Sequence, residues 1–344
     1  MNTFTLATAE PTTMLSHMAL YGLAAIAEDG GLEGVRLSWS GGMQTRPVLS
    51  APRATPDVIG EVVRSHAHRL AAPDAWPARN LSDDSPRAVM SPRIGVIAER
   101  SGWQALQTRR HEALDRLTAA RSLLDLRLIA ALGEPCYWRF NRQGQRLQDD
   151  GASRLEMQPR NQGSEFVGNR LRPLAVAVAA RTPSAVSDGL QGRQVRDEIG
   201  KDDPASRTPT GFAVPGPVDN ALAWCALWGI SQFPIAYRNQ RFANTSGHLG
   251  AGTAGSFYVP VWQGTWRAAR LRSIIAAGPL RRFAETGGKP DGADQAGLSG
   301  EAERRWLADR GITAVVRFPV KRFGSDSAPE RRAMRGDILK TATP

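Results

Sequence analysis

The segment DNALAWCALWGI, residues 219–230, predicts a helix with apolar residues on every side. Asp219 is a typical first residue for such a helix, because its carboxylate accepts hydrogen bonds from the first free N–H groups. The segment is much shorter than the roughly 20 apolar residues that a membrane-spanning helix needs. The helix must therefore lie in a core that the rest of the chain builds around it.

The rest of the chain is long and apolar enough to build such a core. It has 344 residues, of which 41% are hydrophobic, with nine Trp and ten Phe. This length suits two packed units or one large α+β domain, and the composition excludes a wholly disordered chain. We expect an N-terminal α+β region over residues 1–215 and a C-terminal α+β region with a basic tail over residues 216–344.

Cysteine usage and the N-terminus bear on the compartment. Cys136 and Cys225 lie far apart in apolar sequence, and neither belongs to a C-x-x-C pair, so we expect buried thiols in a reducing environment. No basic stretch leads into an apolar segment at the N-terminus, and no uninterrupted apolar run reaches membrane-spanning length. The sequence predicts a cytoplasmic protein with no membrane partner.

Helical and strand patterns are mixed along the chain. Helical spacing predicts helices that begin at Thr12 or Thr13, Thr55, Ser164, Asp219 and Ser299, with others within 103–132 and 265–275. The helix within 265–275 is amphipathic, and we expect Arg267, Arg270 and Arg272 on its outer face. Alternation predicts short strands at 3–7, 34–39, 45–50, 136–141, 153–158, 256–262 and 312–323. Polar residues predict loops at 72–93 and 188–215. The fold class is α+β: mixed short sheets with packed helices and a basic C-terminal segment of helix and strand.

The charge distribution indicates an acidic partner. The formal net charge is +11, and residues 265–344 alone contain 16 basic and 9 acidic residues. Arginine supplies 40 of the 44 basic residues, a bias typical of a GC-rich genome. Codon bias does not explain the excess over acidic residues or its position, so we interpret it as a surface that faces a polyanion. The alternative is a solvated basic tail.

Motifs for catalysis, metals and cofactors are weak. GAGTAG, residues 250–255, matches G-x-G-x-x-G, but a polar loop precedes it and a strand follows. His66 and His68 are two residues apart, which places them on different faces of a helix. The pairs Asp83-Asp84, Asp149-Asp150 and Asp202-Asp203 occur in turn-like sequence. We predict no catalytic residue, no metal site and no cofactor.

Two stretches carry side chains that suit nucleic-acid contacts. Arg, Asn and Gln hold phosphates and read base edges, and a helix start adds free N–H groups. The first stretch, around LEMQPRNQGSEFVGNRL at 155–171, supplies Arg154, Arg160, Asn161, Gln162, Asn169, Arg170 and Arg172. The second, VVRFPVKRF at 315–323, supplies Arg317, Lys321 and Arg322, with Phe318 on the opposite face and Phe323 available for stacking. A partner-protein contact or a plain loop remains open for the first, and an edge strand with protective charges for the second.

Four segments together resemble a known family. They are PRNQGSEFVGNRLRPLA (159–175), ALAWCALWGISQFPI (221–235), SFYVPVWQGTW (256–266) and GITAVVRFPVKRF (311–323). Their order is similar to that in large-subunit proteins of type I CRISPR effector (Cascade) complexes, of the GC-rich bacterial kind that accompanies the Csb group. The resemblance covers about residues 155–323. The chain is short for such a subunit, so the resemblance leaves open whether a C-terminal helical bundle is present.

The resemblance implies a non-catalytic role in antiviral defence. Such a subunit would bind guide RNA and target DNA, check the protospacer-adjacent motif (PAM), contact other CRISPR effector-complex subunits and recruit a helicase-nuclease. The charge asymmetry and the arginine-rich stretches favour the same nucleic-acid-binding function. The alternatives are an enzyme acting on an anionic or phosphorylated substrate and a basic structural partner protein.

Overall fold

The computed structural model describes residues 1–6, 10–41, 45–82, 85–94, 97, 99–136, 139–144, 148–157, 165–206, 210–236, 244–250, 255–286, 296–325 and 329–341. The helices are α1 (Met14–Asp29), α2 (Pro56–Ala71), α3 (Arg100–Ala119), α4 (Leu123–Leu132), α5 (Arg172–Ala179), α6 (Pro183–Leu190), α7 (Asn220–Trp228), α8 (Ala268–Ile275), α9 (Gly278–Thr286) and α10 (Ala296–Ala308). The strands are β1 (Asn2–Thr5), β2 (Arg36–Trp39), β3 (Pro47–Ala51), β4 (Asn80–Ser82), β5 (Ser85–Ala88), β6 (Ile235–Ala236), β7 (Asn244–Thr245), β8 (His248–Leu249), β9 (Gly255–Trp262), β10 (Ile312–Gly324), β11 (Pro329–Ala333) and β12 (Asp337–Lys340). This mixture confirms the predicted α+β class.

Helix α7 is the centre of the core, as its all-round apolar sequence predicts. Every residue of α7 is buried, and the Asp219 carboxylate accepts hydrogen bonds from the N–H groups of Ala221 and Leu222 at 2.8 and 3.4 Å. Helix α1 packs directly against α7. The two approach so closely at Gly22 that a Cβ there would overlap the carbonyl oxygen of Cys225.

Two antiparallel sheets flank these helices. The first has the strand order β1-β3-β2, and the predicted hairpin of residues 34–50 forms its β2–β3 pair. The second is centred on β10, which pairs with β9 along one edge. Along its other edge β10 pairs with β12 near its start and with β11 near its end. The segment expected to be a basic tail is therefore partly built into this sheet. Short pairs β4–β5 and β6–β7 complete the strand pairing described.

The two predicted regions share one apolar core. Leu37 of β2 and Trp266, just before α8, exchange backbone hydrogen bonds of 2.7 and 2.8 Å. The N–H of Leu15 donates to the carbonyl of Phe212 at 3.1 Å. Buried residues from Phe4 to Ala333 belong to the same core cluster. Within the described ranges, no helix is both long and apolar enough to cross a membrane.

Two of the local expectations are wrong, and a third holds. Residues 153–157 form tight turns rather than a strand, because Leu155, Glu156 and Met157 are all fully buried and no face is left for solvent. Residues 72–93 contain a 3-10 turn at Trp76–Ala78 and strands β4 and β5 rather than a loop alone. The loop expected at 188–215 is confirmed, since after Leu190 its described residues (191–206 and 210–215) contain turns and bends but no helix or strand. Within it, a buried Asp197 accepts hydrogen bonds from three surrounding groups.

Candidate nucleic-acid interface

The predicted contact residues occupy three kinds of position. Arg160, Asn161 and Gln162 lie outside the described residues. Asn169, Lys321 and Arg322 are exposed, and Arg172 and Arg317 are half-buried. Arg154 and Arg170 are buried, with 4% and 0% of their surface exposed. The structure therefore places part of the predicted set on the surface and part in the interior.

Arg170 belongs to an ionic cluster around Glu156, which is itself fully buried. The guanidinium of Arg154 donates to the carbonyl of Asp150 at 3.5 Å. Arg93 donates from Nε to Glu156 Oε2 at 2.9 Å, and Arg170 from Nη2 to Oε1 at 3.2 Å. Arg331 donates from Nη2 to the backbone oxygen of Glu156 at 3.4 Å. Arg170 also donates to the carbonyl of Met157. Three guanidinium groups thus converge on one residue, which we call the Glu156 cluster.

Burial and neighbouring positive charges lower the pKa values of two arginines in this cluster. Burial lowers the pKa of Arg331 to about 9, with further lowering by the nearby charges of Arg93, Arg154 and Arg170 and opposition from Glu156. Burial likewise lowers the pKa of Arg170 to about 10. In a low-dielectric interior a guanidinium is stabilised mainly by opposite charge, and here several of them share the same carboxylate.

The start of the helical stretch at 165–179 already has an acceptor for its N–H groups. The carboxylate of Glu165 accepts hydrogen bonds from Val167 and Asn169 at 2.8 and 3.1 Å, and also from Gly168. The expectation of free N–H groups for an external anion is wrong for these three, because an internal carboxylate occupies them. A π-helical turn, Val167–Leu171, then leads into α5.

The two predicted stretches meet at the Glu156 cluster. Arg322 of β10 lies directly opposite Arg331 of β11, so their side chains share one face of the hairpin. Arg331 reaches inward to Glu156, whereas Arg322 is exposed. On the opposite face, Arg332 stacks over the ring of Phe323, with 4.4 Å between Cζ and the ring centroid. Sequence reasoning missed Arg93 and Arg331, since only the tertiary fold brings them to Glu156.

A second group of arginines surrounds Glu28 on the surface. Arg36, Arg127, Arg267 and Arg272 all act to lower the pKa of the Glu28 carboxyl, although burial outweighs them and the net pKa is raised. Arg36 precedes Leu37 and Arg267 follows Trp266, so the Leu37–Trp266 bridge sets them opposite each other. These four and Arg270 form what we call the arginine surface.

The arginine surface has an excess of positive charge. Arg127, Arg267 and Arg270 are exposed, and Arg36 and Arg272 are half-buried. Within the part of the chain that the structure describes, no ion pair joins any of the five to a carboxylate. Arg270 lies over the Trp266 ring, at 4.7 Å from the centroid. The helical pattern of α8 indicated its outward arginines, but Arg36 and Arg127 carry no local signal.

A cleft beside α3 offers a different chemistry. Its volume is about 910 Å³, and its lining includes Asp74, Arg79, Arg109 and Glu112. Two carboxylates accompany the two guanidinium groups, so the lining has no net charge that favours an anion. This cleft therefore gives no particular support to an enzyme for phosphorylated substrates.

His66 and His68 do not lie side by side, and the buried His17 has a backbone partner. His66 is buried between Trp224 and Trp228, with ring centroids 5.5 and 4.4 Å away, whereas His68 is exposed on the other side of α2. His17 Nε2 donates to the carbonyl of Pro11 at 2.7 Å. Among the described residues, no group of three or more His, Cys, Asp or Glu side chains could hold a metal ion.

Buried neutral histidines should make the fold sensitive to acid. Burial lowers the pKa of His248 from 6.5 to about 4, helped by Arg154 and Arg331. The unfolded chain therefore takes up the proton first as pH falls. This contribution to stability is complete above pH 6.5 and is lost between pH 6.5 and 4, at about 1.4 kcal/mol per pH unit. We expect His248→Gln to flatten the pH dependence of unfolding free energy in this window.

His68→Gln is the matched control for this prediction, since His68 is exposed. Urea titrations at several pH values between 6.5 and 4.5 measure the slope for each variant. An equal slope for His248→Gln and the parent protein would show that His248 does not contribute.

No family model, no curated protein and no solved structure matches this chain. A functional proposal therefore rests on the fold, the Glu156 cluster and the arginine surface.

Proposed function

We propose that the chain is a non-catalytic nucleic-acid-binding subunit of an RNA-guided effector complex of the CRISPR kind, and that it acts in the cytoplasm. The observation that carries the proposal is the arginine surface, where four guanidinium groups act on a single carboxylate, Glu28, and a fifth, that of Arg270, lies over the ring of Trp266. Such a surface suits a polyanion, because each phosphate that an arginine neutralises releases a counterion, and this release adds to the affinity.

The geometry favours contacts to the phosphate backbone over recognition of bases. The arginines of this surface come from β2, α4 and α8 and from the residue before α8, rather than from one helix that could enter a groove. Backbone contacts position a nucleic acid without reading its sequence. In an RNA-guided complex, base pairing with the guide supplies sequence recognition, so a subunit of this type needs mainly such contacts.

The exposed residues of the β10–β11 hairpin supply a second contact region. Lys321 and Arg322 are exposed, and Arg332 stacks on Phe323 beside them. An aromatic ring among cations is a suitable place for an unpaired base to stack. Recognition of the adjacent motif, contacts with guide RNA and target DNA, and recruitment of a helicase-nuclease follow from the family resemblance and belong to the same proposal.

Neutralising the arginine surface should reduce the salt dependence of binding. The test variant carries Arg36→Gln, Arg127→Gln and Arg267→Gln. Each phosphate contact with duplex DNA contributes about 0.9 to the slope of log K against log salt, so three lost contacts should reduce the slope by about 2–3. Fluorescence anisotropy with a labelled duplex, a single-stranded DNA and a single-stranded RNA of equal length measures the slope for each ligand.

The control variant removes the same charge elsewhere, with Arg64→Gln, Arg193→Gln and Arg305→Gln. These arginines pair with Glu61, Asp188 and Glu301 at 3.1, 2.6 and 3.7 Å, and none of them is among the arginines that act on Glu28. We expect this variant to retain nearly the parent slope. If both variants lose affinity equally, net charge rather than the arginine surface drives binding, and the proposal fails.

A further inference from the structure

The Glu156 cluster differs from a second network around a buried arginine, Arg181. Arg181 lies between two carboxylates: Nη1 donates to Asp219 at 2.9 and 3.0 Å, and Nε and Nη2 donate to Glu198 at 2.8 and 2.6 Å. A fifth bond joins Arg181 Nη2 to the carbonyl of Arg196 at 2.7 Å. These partners outweigh the effect of burial, so the pKa of Arg181 is raised. This is how the chain compensates a buried guanidinium fully.

Arg170 and Arg331 lack that compensation. Each keeps a buried Nε–H with no hydrogen-bond acceptor in the described part of the chain. The side chain of Arg331 is 2% exposed, and its hydrogen bond goes to a neutral carbonyl, that of Glu156. Arg170 shares the Glu156 carboxylate with Arg93. A buried donor without an acceptor is costly, and so is a buried charge that shares one nearby carboxylate with other cations.

A bound oxyanion would supply both hydrogen-bond acceptors for the unpaired N–H groups and negative charge for the guanidinium groups. The two arginines lie next to each other, since Arg170 binds the carbonyl of Met157 and Arg331 binds that of Glu156. Guanidinium groups in this arrangement present several N–H donors that match the oxygens of a phosphate. The cluster also lies close to the surface, because the neighbours Asn169 and Arg322 are exposed.

We propose that Arg170 and Arg331 form a buried binding site for one phosphate group, separate from the arginine surface. Glu156 holds the two guanidinium groups in position, and the phosphate supplies the negative charge and the acceptors for their free N–H groups. The phosphate is either free inorganic phosphate or a phosphate of a nucleic-acid strand.

The test is the thermal stability of the full chain in sodium phosphate and in sodium chloride at matched ionic strength. We expect a saturable rise in Tm of about 2–5 °C at low millimolar phosphate. The general stabilisation by phosphate as a salt is not saturable and needs much higher concentrations. Arg331→Met should abolish the saturable rise, whereas Arg322→Met, which removes the exposed arginine opposite, should retain it. Equal melting in both salts, or a rise that survives Arg331→Met, would overturn the site.

Phosphorus NMR covers the case in which Arg331→Met does not fold, because it uses the parent protein. The signal of inorganic phosphate should broaden saturably, and the absence of broadening also overturns the site.

Competition then identifies whether the bound phosphate is free or belongs to a nucleic-acid strand. Displacement by a 5′-phosphorylated oligonucleotide alone indicates a strand end, and equal displacement by its 5′-hydroxyl form indicates a phosphodiester. Displacement by neither indicates free phosphate.

The variant with Arg36, Arg127 and Arg267 changed to Gln separates this site from the proposed function. It should lose nucleic-acid affinity and keep the response to phosphate. Loss of the phosphate response in this variant would place phosphate on the arginine surface and contradict a separate site.

Discussion

Gly22→Ala should destabilise the protein by roughly 3 kcal/mol, the upper end of the usual cost of overpacking a core. The physical reason is the crossing of α1 and α7. A methyl group at Gly22 would overlap the carbonyl oxygen of Cys225 and would lie 2.6 Å from the backbone nitrogen of Gly229. Both contacts are backbone atoms of the central helical segment, so no side-chain rotation relieves them. Urea unfolding followed by circular dichroism measures the change in midpoint.

The sign of this effect is informative, because alanine normally stabilises a helix relative to glycine. Gly300→Ala is the matched control. It lies within α10, and a Cβ there meets no atom within 4 Å. We expect that variant to gain up to about 1 kcal/mol from helix propensity. A stable Gly22→Ala protein would mean that α1 and α7 lie farther apart than the structure places them.

Local sequence signals predicted those helices and strands whose conformation depends on nearby residues rather than on distant contacts. Thr55 caps α2, Asp219 caps α7, and the alternation of β10 survives because one of its faces packs on the core. These signals depend on neighbours within one or two turns of chain, which a single sequence displays directly.

The residues around Glu156 show why other parts could not be predicted. Leu155 and Met157 alternate as in a half-buried strand, but Glu156 between them is also fully buried. Its burial depends on Arg93 and Arg331, which lie 63 and 175 residues away along the chain. No periodicity reports such a contact. The strand prediction failed for this reason, and the ionic cluster was missed for the same reason.

The arginine surface could be predicted only in part from the sequence. Helical spacing indicated that Arg267, Arg270 and Arg272 point outward, and the structure agrees that they are exposed or half-buried. Arg36 and Arg127 join them only because β2 bridges to Trp266 and α4 packs nearby. The excess charge was therefore visible in the sequence, but the grouping of these arginines around one carboxylate, Glu28, was not.

Glu156→Gln should cost on the order of 3–5 kcal/mol, because it removes the carboxylate from a buried group of arginines. Arg93 and Arg170 would lose the charge of the Glu156 carboxylate, and a neutral amide cannot replace it. Arg331 would retain only its bond to the backbone carbonyl. Chemical denaturation at constant pH and low salt measures the loss. Removing one arginine as well should recover part of it, so the double variant Glu156→Gln/Arg170→Met should be more stable than Glu156→Gln alone.

Glu301→Gln is the control for this last prediction. Glu301 pairs with Arg305 at 3.7 Å, and the two side chains are 69% and 76% exposed, so water screens the charges and the change should be small. If Glu156→Gln is as mild as this control, the guanidinium groups are neutralised by something other than Glu156.

Added phosphate distinguishes arginines that depend on Glu156 from arginines that are compensated by other groups. A phosphate bound between Arg170 and Arg331 replaces much of the lost negative charge, so it should stabilise Glu156→Gln more than the parent protein. A chain whose arginines are already compensated should respond to phosphate equally with and without Glu156.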